Sequence, residues 1–160
     1  MEFKQLAYYN TPIGTAKITG SSKGICSVSV IDLYIENSIE VSHHLKPCIN
    51  QLEAYFNGTL KVFNLKLDLQ GTAFQCKVWN QLQTINYGKT TTYLNQAKNL
   101  HNVKAIRAVA AANGKNPLWI VVPCHRVIGS DGSLTGYAGG IWRKKWLINH
   151  ESNTPQQSLF

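Results

Sequence analysis

The chain has 160 residues, of which 16 are Lys or Arg and 8 are Asp or Glu, so its formal net charge is +8. Hydrophobic residues make up 44% and charged residues 15%, a composition typical of globular proteins and not of disordered chains. No apolar run approaches the roughly 20 residues of a membrane-spanning helix, and the first residues lack a secretory signal pattern, so we expect a cytoplasmic protein.

The excess positive charge lies entirely in the second part of the chain. Residues 1–70 contain six lysines and six acidic residues, whereas residues 71–160 contain ten basic residues and two acidic ones. This distribution indicates a polyanionic partner for the second part. A basic charge that only aids solubility is the alternative.

The first part is predicted to be a small unit of strands and one helix. Three runs of apolar and β-branched residues, separated by turn signals, predict strands at 6–9, 16–19 and 25–31. Helical spacing predicts a helix over 47–56, and alternation predicts a further strand over 62–69. Three residues near the start of this helix could be metal ligands, although a solvated loop is favoured over a metal site: His43, His44 and Cys48.

The second part is predicted to be mainly helical. Thr72 and Gln75 have the spacing of a capping box, which predicts a helix start at this point. Thr92 is predicted to cap a short helix over 93–99, and a second helix is predicted over 103–112. Two helices joined by a tight turn in a basic region outline a helix-turn-helix, which by itself is a weak signal.

The second of these two helices has an unusual outer face. Val103, Ile106 and Ala110 are predicted to face the core. The opposite face then presents Lys104, Arg107, Ala108 and Ala111. Small side chains would let the helix backbone approach a DNA minor groove, which is only about 6 Å wide. The high helix propensity of alanine explains the same pattern without any ligand.

The main chemical signal is the Pro-Cys-His-Arg run at 123–126. It follows an apolar run at 118–122 that is predicted to be a buried strand, so Cys124 is expected at the end of an element. The neighbouring His125 and Arg126 would favour its thiolate, which is the nucleophilic form. The other three cysteines are expected to be structural: Cys26, Cys48 and Cys76.

A series of further motifs surrounds this run. In chain order, the motifs are Gly71-Thr-Ala-Phe-Gln75, Val78-Trp79, Arg107-Ala-Val109, Asn113-Gly114, Asn116-Pro117, Pro123-Cys-His-Arg-Val-Ile128, Gly136-Tyr-Ala-Gly-Gly140 and Glu151. With them, residues 71–151 resemble the C-terminal domain of the O6-alkylguanine-DNA alkyltransferases. Residues 1–70 resemble the family's N-terminal domain more loosely, through Thr11-Pro-Ile-Gly14 and Leu52-x-x-Tyr55-Phe56-x-Gly58.

The resemblance implies an α+β fold in three parts. A small ribonuclease-H-like α/β domain at 1–70 would precede a helical domain at 71–151 with a helix-turn-helix and the alkyl acceptor, and a polar tail would occupy 152–160. The implied partner is double-stranded DNA carrying alkylated guanine, bound by a monomer in the cytoplasm, at the nucleoid. No cofactor is expected, and no metal, because no zinc-ligand set of the family matches this chain.

The implied activity is direct reversal of DNA damage. An alkyl group would pass irreversibly from O6-alkylguanine, with O4-alkylthymine as an open second substrate, to Cys124 in a single turnover. His125 would act as the base through a bound water, Glu151 would orient His125, and Asn116 would hold the turns around the site. Glu151 could instead serve only in an ion pair near the last helix, where residues 143–145 are expected to face solvent and Trp142 and Trp146 to pack.

The resemblance also implies contacts to the nucleotide and to DNA. Arg107 would fill the space left by the extruded nucleotide, although it could be only a phosphate contact. The residues expected around the guanine are Tyr93, Val127, Tyr137 and Ala138. Those expected to contact DNA are Thr92, Tyr93, Lys104, Arg107, Ala108, Ala111 and Arg126.

Three details keep other readings open. The two tyrosines of the guanine pocket could be residues at the edge of the core. Where the family commonly has Gly in the turn between the two helices, this chain has His101, a residue type that tolerates positive φ. Two rival functions are a lesion-binding sensor without transfer and a cysteine hydrolase that uses Cys124 and His125.

Overall fold

The computed structural model describes residues 4–152, which form two compact units. The first contains the described residues up to Gln70 together with Pro117–Val121, and the second contains Gly71–Asn116 and the chain from Val122 onward. The sequence-based division places residues 117–121 in the second domain, whereas they pack in the first unit. Most of the predicted polar tail, from residue 153, lies outside the described residues.

The first unit is built on an antiparallel three-stranded sheet in the order β1-β2-β3. Its strands are β1 (Gln5–Thr11), β2 (Gly14–Ser21) and β3 (Gly24–Ile31), and its helix is α1 (Lys46–Phe56). Ala7, Ile18 and Val28 lie side by side across the three strands and are at most 1% exposed. Because side chains on neighbouring strands that lie opposite each other share one face of the sheet, these three residues form part of the core of this unit.

The two other predicted strands are each reduced to a single bridge on β3. Leu67 pairs with Ile25, and Leu118 pairs with Val28. The prediction of a strand over 62–69 is wrong because this segment meets β3 only around Leu67. The prediction over 118–122 is wrong because the chain turns away after its bridge, although all five residues are buried.

The second unit is mainly helical. Its elements are α2 (Ala73–Leu82), β4 (Thr91–Thr92), α3 (Tyr93–Asn99), a 3-10 turn at Val103–Ala105, α4 (Ile106–Gly114), a 3-10 turn at Cys124–Arg126, β5 (Val127–Ile128) and α5 (Ile141–His150). Both arms of the predicted capping box are present, since Thr72 and Gln75 bond each other's backbone N–H. Thr92 caps α3 by accepting the backbone N–H of Asn95. The predicted α+β fold class is confirmed.

The exposed side of α4 was predicted better than its buried side. Lys104, Arg107, Ala108 and Ala111 are exposed, as expected. The buried residues of α4 are Val109, Ala112 and Asn113, whereas Val103 is 51% exposed. The expected core face is wrong because the helix begins with a 3-10 turn, which rotates the following residues relative to an uninterrupted α-helix.

Helix α5 also differs from its prediction. Arg143 and Lys144 are 5% and 1% exposed, whereas Trp142 is 55% exposed. Only Lys145 of the three basic residues is exposed, so the expectation of a solvated basic run is wrong. Within residues 4–152, no helix combines the length and apolarity needed to cross a bilayer.

Candidate functional site

Cys124 lies at the end of a tightly turned segment. Two hydrogen bonds between residues two apart, from Val121 N to Trp119 O at 2.8 Å and from Cys124 N to Val122 O at 2.9 Å, close successive γ-turns. The first is centred on Ile120, whose φ of 69° is rare for a β-branched residue. Cys124, at the end of this segment, is a half-buried residue.

Asn116 holds this segment from the side. Its Nδ2 donates to Val122 O at 2.7 Å and approaches the Cys124 sulfur at 3.3 Å. One amide group therefore fixes a backbone carbonyl of the turn and offers an N–H to the sulfur. Asn116 thus contacts two groups of the segment that carries Cys124.

His125, Arg126 and Glu151 form a buried charged cluster. His125 Nε2 lies 2.6 Å from Glu151 Oε2, while Arg126 bonds the carboxylate through Nε at 2.8 Å and Nη2 at 3.1 Å. Arg126 also donates Nη1 to Ile85 O at 2.6 Å. Because Arg126 is 6% exposed and all three of its nitrogens are bound, the prediction that it contacts DNA is wrong. Its charge instead neutralises Glu151.

The cluster determines which nitrogen of His125 is basic. Burial would raise the pKa of Glu151, but the hydrogen bonds and charges of His125 and Arg126 outweigh it and hold that pKa well below its usual range. Burial lowers the pKa of His125, against the opposing influence of Glu151. The neutral ring therefore donates Nε2–H to the carboxylate. Its Nδ1 is buried without a hydrogen-bond partner among the described residues, and is left as a proton acceptor.

The resting state of Cys124 is the thiol. Burial raises its pKa, while the Asn116 N–H and the charge of Lys144 act in the opposite direction. The expectation that neighbouring imidazole and guanidinium groups stabilise the thiolate is wrong, because Glu151 engages both. A base is thus needed to generate the nucleophile. The buried thiol of Cys48 has its pKa raised to about 12 by burial, which makes it inert.

A turn at 86–89 contacts the cluster from a further side. Gly88 donates its backbone N–H to Glu151 Oε1 at 3.2 Å and adopts a φ of 77°. A Cβ atom at this position would lie 2.9 Å from Glu151 O, so both the conformation and the close approach require glycine. After the turn, the parallel pair β4–β5 sets Thr91 and Thr92 beside Val127 and Ile128.

An open pocket of about 360 Å³ lies between the two helices that carry Tyr93 and Arg107. Its lining is formed by Tyr93, Ile106, Arg107, Ala110, Thr135 and Gly136. Tyr137 and Ala138 directly follow Gly136, with Ala138 exposed. Of the residues expected to contact the nucleotide or to fill its place, the pocket lining contains Tyr93 and Arg107. Val127 lies apart from the lining, since it is 0% exposed and pairs with Thr91.

Lys144 is a residue that the sequence interpretation missed. Its Nζ donates to Thr135 O at 3.0 Å and approaches Tyr93 Oη at 3.4 Å, and Tyr93 Oη also donates to Thr135 O at 3.1 Å. No carboxylate within residues 4–152 pairs with this ammonium group. Burial lowers the pKa of Lys144, against the influence of Cys124. A lysine that is 1% exposed and faces a backbone carbonyl and a hydroxyl, not a carboxylate, is the signal that identifies it, and its burial is visible only in the fold.

The other three cysteines lie outside this site. Cys26 and Cys48 are buried and Cys76 is half-buried. Among the residues described, no group of three or more His, Cys, Asp and Glu side chains could hold a metal ion.

Sequence profiles of two domains match the chain. One, described as 6-O-methylguanine DNA methyltransferase, DNA binding domain, matches residues 73–153. The other, described as 6-O-methylguanine DNA methyltransferase, ribonuclease-like domain, matches residues 5–69. Together they span most of the chain.

Individual relatives are similar over nearly their whole length. The methylated-DNA--protein-cysteine methyltransferase of Methanosarcina acetivorans is 44% identical over 156 residues, covering 92% of this chain and 97% of that protein. The protein of the same name from Mycobacterium tuberculosis is 42% identical over 157 residues, covering 94% and 93%. The structure of Mycobacterium tuberculosis OGT in complex with DNA matches with a TM-score of 0.81 and 37% identity, covering 96% of this chain and 98% of that one.

Proposed function

The chain belongs to the O6-alkylguanine-DNA alkyltransferase family, a group of direct-reversal DNA repair proteins, and we propose that Cys124 is the residue to which it transfers the alkyl group. The observation that carries this assignment is the joint placement of the thiol of a half-buried cysteine, the Asn116 N–H and a buried neutral imidazole held by Glu151. In this arrangement a nucleophile, a base and the group that orients the base occur together.

The proposed reaction forms one bond and breaks another. The Cys124 sulfur attacks the alkyl carbon in line with the C–O6 bond, and the electron pair of that bond leaves with the guanine oxygen. The thiol proton passes through a water molecule to His125 Nδ1, and Glu151 stabilises the imidazolium. The guanine takes up a proton as it leaves, with the Tyr137 hydroxyl as its donor; the phenolate regains a proton from solvent, and the imidazolium releases its proton to solvent. The products are S-alkylcysteine and guanine.

The product explains the single turnover. A thioether has no electrophilic carbonyl that water could attack, so the acceptor is not regenerated. One protein molecule therefore repairs one base, and the proposed reaction uses no cofactor. All of the groups named come from one chain, so the proposed reaction needs no second subunit, and we propose that the protein acts as a monomer. Because its proposed substrate is DNA, the nucleoid in the cytoplasm is the proposed place of action.

The helices α3 and α4 are proposed to form a helix-turn-helix that binds the minor groove. Ala108 and Ala111 would allow close approach of the α4 backbone, and Lys104 would contact a phosphate. Arg107, beside the pocket, would enter the base stack in place of the extruded nucleotide, and Tyr93 would crowd its phosphate. Thr92, at the start of α3, would contact the DNA, and Ala138 would contact the extruded guanine.

Lys144 is proposed to assist the acceptor. Its buried charge opposes the effect of burial on the pKa of Cys124 and would stabilise the thiolate as it forms. Its bond to Thr135 O also holds the segment that lines the pocket. Lys144 is thus a positioning residue with an electrostatic effect on the sulfur.

The test is a mass measurement after incubation with duplex DNA that contains one O6-methylguanine. We expect the intact mass to rise by one methyl group, mapped to Cys124, and the burst to end at one equivalent. Cys124→Ser should show no gain, whereas Cys76→Ser should behave as the wild type. Lesion binding without mass gain would favour the sensor, and continued turnover of acyl substrates would favour the hydrolase.

A further inference from the structure

Two buried side-chain amides face each other between α3 and α4. Gln96 donates Nε2–H to Asn113 Oδ1 at 3.0 Å, and Asn113 donates Nδ2–H to Gln96 Oε1 at 2.7 Å. Gln96 is 1% exposed and Asn113 is 5% exposed, so neither side chain can reach DNA. Because each amide is both donor and acceptor, the reciprocal pair is satisfied at only one relative rotation and separation of the two helices.

Two more directional bonds join the same helices to α2. Trp79 Nε1 donates to Ala112 O at 2.8 Å, and Gln81 Nε2 donates to Gln96 O at 3.0 Å. The apolar residues in this region, such as Val109, are buried but impose no direction, since hydrophobic contact tolerates rotation and sliding. The orientation of α3 and α4 is therefore specified mainly by polar bonds.

This orientation bears on the pocket. Tyr93 is the first residue of α3, and Arg107 is the second residue of α4. Both side chains line the pocket of about 360 Å³, although they lie on different helices. A small rotation of α4 about its axis would carry Arg107, near the start of the helix, away from Tyr93. Cys124 lies on a separate segment, joined to the end of α4 through Asn116.

We propose that Gln96 and Asn113 are positioning residues for the duplex-specific step of the reaction. Their amide pair fixes the rotation of α4 against α3, and this rotation places Arg107 and Tyr93 to extrude the damaged nucleotide. The inference rests on the proposed function, because extrusion matters only if Cys124 must reach a base inside a duplex. Its signature is a defect with double-stranded substrate that is absent with single-stranded substrate.

The test removes both amides together. In Gln96→Leu/Asn113→Leu no partner is left unsatisfied, so we expect a melting temperature within a few degrees of the wild type. Transfer from O6-methylguanine in a duplex should slow by about tenfold or more. Transfer from the same oligonucleotide as a single strand, and alkylation of Cys124 by iodoacetamide, should stay within about twofold of the wild type.

Two controls separate positioning from stability. Gln96→Leu alone leaves Asn113 with an unpaired buried amide and should lower the melting temperature by roughly 2–10 °C. Gln96→Asn/Asn113→Gln retains both donors and both acceptors and should recover part of the lost duplex rate. If the leucine pair does not fold, Gln96→Met/Asn113→Leu fills the space with a more adaptable side chain and replaces it.

A folded double variant with the wild-type duplex rate overturns the proposal. So does an equal loss with duplex and single strand, because the amides would then act on the acceptor site in general. Failure of the wild-type protein to methylate Cys124 on either substrate is a different result, and it refutes the proposed function itself.

Discussion

The side chains of His125 and Glu151 meet in the interior of the protein, with Nε2 2.6 Å from Oε2 and exposures of 0% and 2%. Arg126 binds the same carboxylate, so Glu151 is anionic and the histidine nitrogen that faces it carries the hydrogen. The other nitrogen, Nδ1, is therefore the basic one. The proposed chemistry depends on this tautomer.

Glu151→Gln should impair both chemistry and stability. The amide preserves the shape but cannot neutralise Arg126, which leaves a buried charge unpaired at a cost of about 3–5 kcal/mol. An amide N–H facing Nε2 also favours the wrong tautomer of His125, so the transfer rate should fall by about 100-fold or more. Rapid-quench transfer assays and urea unfolding measure the two effects. Glu40→Gln, at an exposed position, is the control. An E151Q rate within threefold of the wild type would contradict this.

Stability should fall as the pH is lowered from 7.5 to 5.5. Burial lowers the pKa of His125 in the folded protein, whereas the unfolded chain takes up this proton near pH 6.5. Below pH 6.5 the unfolded state therefore binds more protons, and about 1 kcal/mol of unfolding free energy is lost by pH 5.5. Urea unfolding at the two pH values measures the loss. His125→Gln should lose about 1 kcal/mol less over this interval, and equal losses would show that His125 is not the group responsible.

Lys144→Met should raise the pKa of Cys124. Removal of the buried charge takes away one of the influences that oppose burial. We expect transfer at neutral pH to slow by about tenfold, together with a higher midpoint for the reaction of Cys124 with iodoacetamide, measured in a Cys76→Ser background. Lys145→Met changes the exposed neighbour on the same helix and is the matched control. If both variants shift the midpoint equally, the effect of Lys144 is not local.

Substitutions of Lys104 and Arg107 should have different effects, the first on DNA binding in general and the second on extrusion of the nucleotide. Lys104→Ala removes an exposed charge and should weaken binding to all DNA, lowering the salt slope of the binding constant by about one. Arg107→Ala should slow repair in duplex DNA more than in single strands, because its proposed place is inside the base stack. Titrations at several salt concentrations and paired repair assays distinguish them. Identical behaviour of the two variants would contradict the role given to Arg107.

His101→Gly should stabilise the protein. His101 has a φ of 58° in the turn between α3 and α4, where a side chain with a Cβ costs about 1–2 kcal/mol. Glycine removes this strain but loses more entropy on folding, which leaves a net gain of about 0.5–1 kcal/mol in unfolding free energy. Urea unfolding measures it, with His101→Ala as the control that retains the Cβ. A less stable glycine variant would mean that the imidazole itself supports the turn.

Local hydrogen-bond chemistry was the part of the fold that could be predicted from the sequence. The starts of α2 and α3 depend on Thr72 and Thr92, whose partners lie three residues away, so spacing alone identified them. The prediction of a strand over 62–69 is wrong because alternation shows that a segment could form a strand, but not that a neighbouring strand is available to pair with its whole length. Only Leu67 finds a place on β3.

Parts of the site could be predicted where the residue type determines the chemistry. They could not be predicted where a charged side chain can either face DNA and solvent or pair with a group inside the protein. Cys124 and His125 occur in a motif, and the structure places both at the candidate site. Arg126 and Lys144 were expected to meet DNA or solvent, because most charged side chains do. Their actual partners, Glu151 and the carbonyl of Thr135, are distant in sequence or are backbone groups with no sequence signature.

Because residues 117–121 pack in the first unit, the chain cannot be cut between residues 70 and 71, the boundary that its sequence suggests, without dividing that unit. A fragment beginning at Gly71 would expose Leu118 and Ile120, both now at most 1% exposed, to solvent. A fragment ending at residue 70 would leave the N–H of Val28 without the carbonyl of Pro117 that it now bonds. Modular uses such as domain exchange or split reporters therefore need cuts elsewhere. The segment that leads to Cys124 is thus anchored through Leu118 on Val28, a contact between residues far apart in the sequence of the kind that slows folding.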